Sequence, residues 1–154
     1  MKKIILNSFS KIDFVNRYKE ICNTYTDFDN GKSFKKAEVQ ELLHNQNLDL
    51  EYSSKEKLFL KNYRVGDLNL RFVLSYNYGF IDCMYACWTD DFSFRLNESL
   101  GGIALLIDNK FEDTVKYKFP IATSFADFEK ISLKLFALHI DFIEKIRYHL
   151  GEEN

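Results

Sequence analysis

Three histidines and three cysteines are the side chains with which this 154-residue chain could do covalent or metal chemistry. The histidines, His44, His139 and His149, form no HExxH or other short metal-binding pair. His139 and His149 lie ten apart in one helical pattern, and each histidine is expected at a helix edge. Cys22, Cys83 and Cys87 are an odd set without a CxxC pair. On a strand Cys83 and Cys87 share a face about 13 Å apart, too far for a disulfide. Buried, reduced thiols follow, and with them a reducing compartment. A Cys–His nucleophile lacks a supporting Asn or Asp, and both thiols stand in an apolar alternation.

Phosphate and carboxylate chemistry fare no better. Gly101-Gly102 precedes an apolar run with no lysine after it, so it builds no phosphate cradle. The loop TDFDNGKS, Thr26–Ser33, has the composition of a calcium loop. Counted from Asp27, however, Gly31 falls at position five and Lys32 at the position that needs glycine. Asp90-Asp91 and Glu112-Asp113 sit in turns, where solvation accounts for them. Asp82 shares an alternation with Phe80 and Met84; it is expected at the solvent, or paired with Arg71 or Arg64 if buried. The expectation is a protein that is not an enzyme and holds no metal or cofactor.

The chain is 46% hydrophobic with a formal net charge of −2, and its aromatics are fifteen Phe, nine Tyr and one Trp. That balance gives a single domain, residues 1–154, with an aromatic core and no need of disulfides. It argues against nucleic-acid binding, which needs a concentrated basic surface. The apolar run in MKKIILNSFSK is too short for a signal peptide, and no run approaches a membrane span, so a cytoplasmic protein is expected.

The central stretch is Leu68–Trp88, LNLRFVLSYNYGFIDCMYACW. Leu68, Leu70, Phe72, Leu74 and Tyr76 alternate with residues that are polar except for Val73, and the chain reverses at Asn77-Tyr78-Gly79. The returning arm is apolar on both sides: Phe80, Met84, Ala86 and Trp88 on one, Ile81, Cys83, Tyr85 and Cys87 on the other. Such an arm wants cover above and below. Around it the spacing predicts a short strand at Lys3–Leu6 and a helix opened by Ser10 and Asp13, with Phe9 stapled onto Phe14. A second helix follows, capped by Ser33 and apolar at Phe34, Ala37, Leu42 and Leu43. Further strands are predicted at Leu58–Val65, Phe92–Leu96, Ile103–Asp108 and Thr114–Phe119, with Gly66-Asp67 as a glycine-first hairpin. Ser124 and Asp127 then cap a long C-terminal helix ended by Gly151. Its stripe is Phe128, Ile131, Leu135, Leu138 and Phe142, widened by Phe136, Ile140 and Ile143. The fold class is α+β: two N-terminal helices, an antiparallel meander of five or six strands, and the long helix packed on the sheet.

Without catalytic groups, surface recognition remains. Tyr78, Asp82, Tyr85, Trp88, Asp90 and Asp91 combine interface-anchor aromatics with acids that would steer a basic partner. The layout, from the paired helices through LRFVLSYNYGFIDCMYACW to the helix entry FPIATSFADFEKI, resembles immunity proteins of bacterial toxin–immunity systems. That resemblance implies a non-catalytic inhibitor with one partner, a cognate toxin domain. The element order is also similar to the helix-grip plan of START and Bet v 1-like proteins. That plan would place an apolar ligand between sheet and helix, against Phe72, Leu74, Met84, Leu135 and Phe142.

Overall fold

The computed structural model describes Met1–Gly151. Three helices precede the sheet: α1 (Lys2–Ser10), α2 (Phe14–Thr24) and α3 (Lys36–Asn45). The strands β1 (Glu51–Ser53), β2 (Leu58–Val65), β3 (Leu68–Asn77), β4 (Phe80–Thr89) and β5 (Arg95–Ser99) form an antiparallel meander in chain order. A short helix, α4 (Leu100–Ile107), leads through a 3-10 turn to α5 (Phe125–His149). The α+β class, the meander and the long terminal helix are as expected. Among the described residues no helix is long and apolar enough to cross a membrane.

The two central strands follow their alternation. Leu68, Leu70, Phe72 and Leu74 of β3 and Ile81, Cys83, Tyr85 and Cys87 of β4 are all buried on the helix side. At the hairpin between them Tyr78 and Gly79 both have positive φ, 55° and 84°, the primed turn that suits strand twist. Gly79 is also held by crowding, because a Cβ there would strike the Ala122 carbonyl and the backbone of Gly31 and Lys32. Gly66, at φ 56°, turns β2 into β3.

Six local expectations fail, each for a physical reason. Lys3–Leu6 is helical, because Ile5, Ser8 and Phe9 bury one helical face that a three-residue apolar run conceals. Ser10 therefore closes α1, donating to the Leu6 carbonyl at 2.9 Å, and α2 starts only after Asp13, at φ 54°. The Phe9–Phe14 contact survives at 4.9 Å, as a joint between two helices. Helix α3 starts at Lys36, not after Ser33; the Lys35 N–H donates to Glu38 at 2.9 Å, and Ala37 is exposed. Ile103–Asp108 is mostly α4, since Ser99 accepts from the Gly102 N–H at 3.0 Å and caps it. Thr114–Phe119 joins no ladder. The chain meets the sheet only beyond it, where Phe80 bridges Ile121 and Ile81 donates to the Pro120 carbonyl. Phe92, at φ 55°, belongs to a turn, so the last strand begins at Arg95.

Helix α5 is capped as expected: the Asp127 N–H donates to Ser124 Oγ at 3.0 Å, and Asp127 in turn accepts from the Thr123 hydroxyl. Gly151, at φ 77°, follows its end. Its stripe packs on the sheet through rings. Phe142 stacks on Phe9 at 3.9 Å and meets Tyr85 edge-on at 5.1 Å, which ties α1, α5 and β4 together.

Candidate functional site

The histidines are not equivalent. His139 is 2% exposed, not at a helix edge. It stacks on Phe72 at 3.9 Å, with Tyr85 Oη 2.6 Å from Nδ1 and Tyr63 Oη 2.8 Å from Nε2. Among the described residues the buried Tyr85 hydroxyl has no other hydrogen-bond partner, so it donates to Nδ1. Nε2–H then donates to Tyr63, whose own proton can reach solvent. Burial, with Lys61 nearby, pushes His139 down to about 3, so the ring is neutral. This is a satisfied core network.

His149 Nδ1 lies 2.7 Å from Ser8 Oγ, a distance that suggests a nucleophile and its base. The geometry runs the other way. Ser8 donates its proton to the Ile4 carbonyl at 2.9 Å, so Nδ1–H of His149 donates to Ser8. Ser8 is fully buried, and the pair fastens α1 to the end of α5. All three cysteines are free and buried. Burial pushes Cys22 and Cys87 up to about 12 and Cys83 well above its usual value, the reverse of thiolate activation.

The six residues expected to meet a partner are not gathered. Tyr78 stands 73% exposed at the hairpin tip, while Asp90 and Asp91 are exposed at the far end of β4, about 30 Å away. Tyr85 is 1% exposed and belongs to the core, so it anchors no partner. Trp88 lies half-buried on the face away from the helices, with the Arg71 guanidinium 5.9 Å from its ring. Asp90 is held by Arg64 and Asn69, each at 2.6 Å, which takes up its charge. Hydrogen bonds from Ser93 and Thr89 hold Asp91 down to about 2. Asp82 is half-buried and forms no ion pair among the described residues. Arg71 bonds Asn62 instead, and one carboxylate oxygen of Asp82 is buried without a hydrogen bond. That burial, relieved only by the Cys83 N–H, pushes Asp82 up to about 6.

The space between sheet and α5 is filled. Phe72, Leu74, Leu135 and Phe142 belong to one continuous core, and Met84 points to the opposite side of the sheet. An apolar ligand would have to displace the Phe72–His139 stack.

An open concavity lies on the helix side, between α3 and α5. A groove of about 570 Å³ has Leu42, Phe125 and Leu133 as apolar lining and Glu38, Glu41 and Glu129 as its charges. Among the described residues no lysine, arginine or histidine forms an ion pair with these three glutamates. From Leu133 an apolar stripe continues along the outer side of α5 through Ala137 to Ile140, with Leu133 53% and Ile140 50% exposed. The expected burial of Ile140 is thus wrong. A helix whose apolar residues exceed one face carries a second stripe, and that excess was the available signal for this surface. Comparison with protein-family models, with curated proteins and with solved structures found no match.

Proposed function

We propose that this protein is a non-catalytic inhibitor of the immunity type, which neutralises a cognate bacterial toxin domain by binding it. The observation that carries this reading is the groove between α3 and α5, anionic and unneutralised, running into the exposed stripe Leu133–Ala137–Ile140. A lysine or arginine from the partner would lay its aliphatic stem along Leu42 and Phe125 and its charge among the glutamates. The stripe would supply the desolvated centre that such interfaces need. The filled helix–sheet interface weighs against the helix-grip alternative.

The test is co-expression with the C-terminal domain of a toxin encoded beside this chain. A stoichiometric complex and protection of growth are expected. Leu133→Glu with Ile140→Glu should weaken the complex at least about tenfold while leaving stability within about 0.5 kcal/mol, as exposed sites do. Unchanged binding by that variant, or recovery of a small lipid and no protein from the native host, would overturn the reading.

A further inference from the structure

Strand β4 carries apolar residues on both sides, yet the α-helices lie on one side of it, and on the other Phe28 and Phe119 cover only the Phe80 end. Leu60, Val73, Met84, Ala86 and Trp88 are left half-exposed there. We propose that a second copy of this chain covers that face, forming a two-fold symmetric sandwich of two sheets.

The argument is the order of rows across the face. Leu60, Val73 and Met84 stand side by side as the apolar middle of the central row, which ends in Glu51 on β1 and Ser99 on β5, where exposed Glu51 can turn to solvent at the sheet edge. One step toward the hairpin tip is the row of Ser75 and Asp82; one step the other way is the row of Arg71 and Ala86. Two steps out lie Phe80 at one end and Trp88 at the other.

A two-fold axis between the sheets, crossing the strands at the central row, exchanges the rows on either side. Met84 then meets its own symmetry mate. Trp88 comes opposite Phe80 of the second copy, where Phe28 and Phe119 already pack at 5.1 Å. Asp82 comes opposite the row that holds Arg71. The guanidinium starts one strand over, about 4.8 Å to the side, well within an arginine's reach. In the single chain Asp82 has no cation and Arg71 no carboxylate among the described residues, and the symmetry pairs them twice. The groove between α3 and α5 lies on the other side of the molecule, so the proposal stands or falls independently of the inhibitor reading.

Sedimentation equilibrium of the purified chain over the micromolar range tests it. A mass of about twice 18.3 kDa is expected. Asp82→Arg and Arg71→Asp should each weaken self-association at least about tenfold, and the two together should restore it. Circular dichroism checks that each variant is folded, and Met84→Glu, which sets like charges face to face on the axis, gives a monomer by a separate route. A wild-type chain that stays monomeric, covered by another protein or simply solvated, overturns the proposal. So does a dimer indifferent to all these changes.

Discussion

At the scale of single residues, two buried groups give the protein opposing responses to acid. His139 sits near 3 when folded against about 6.5 unfolded, so the unfolded chain binds the proton first. Stability from its neutral ring is complete above about 6.5 and is lost as pH falls toward 3. Asp82 is displaced upward, to about 6, so its contribution has the other sign. Stability grows as pH falls from about 6 to about 4, and the burial penalty is in full force at pH 7. Asp82→Asn should therefore raise stability by about 1–2 kcal/mol at pH 7, at concentrations where the chain is monomeric. It should also steepen the loss between pH 6 and 4, because the compensating group is gone; urea midpoints against pH read both. Tyr85→Phe strips Nδ1 of its donor in the core and should cost about 1–3 kcal/mol. Tyr63→Phe, nearer the solvent, should cost less, and the reverse order would refute the proton assignment. The alternation marked Asp82 as an unusual charge, but the His139 network was not legible beforehand. An edge position and a buried one look alike for His139, because what separates them is the Tyr63 and Tyr85 hydroxyls, distant in sequence.

At the scale of elements, period and cap compete. Strands β3 and β4 were readable because ten-residue alternations admit only one period, and the primed turn at Tyr78-Gly79 fixes their register. Ile103–Ile107 is five consecutive apolar residues, which satisfy a strand and a helix equally. The Ser99 cap and the burial of Leu100, Ile103 and Ala104 settle it as α4. Ser99→Ala should accordingly cost about 0.5–2 kcal/mol in thermal or urea unfolding. Helix α5 presents the related problem of too many apolar residues for one side. Its inner stripe was read from spacing, whereas Leu133 and Ile140 needed the position of the sheet before they could be assigned outward.

At the scale of the whole molecule, two surfaces stand on opposite sides of two layers. The helix layer carries the anionic groove and the Leu133–Ile140 stripe; the sheet carries the row-symmetric face around Met84. If the sheet faces pair, both grooves stay open, and a partner seated in them as proposed should be bound two to two. Light scattering of such a complex should give that mass, and Met84→Glu should halve it without weakening the contact at the groove. Six residues near one another in the sequence were dispersed because β4 runs straight for ten residues and carries Tyr78 away from Asp90. Proximity in the chain is proximity in space only within a turn or a helix face.

The stack of Phe9 on Phe142 and the bond between Ser8 and His149 join the first helix to the last. A ribosome making this chain emits the whole meander before α5 exists. The apolar side of the nascent sheet then stays uncovered until the α5 segment emerges, when that helix docks on α1 and seals it. A chain stopped before Phe125 therefore leaves that side of the sheet open, and it should aggregate where a point variant would merely be less stable.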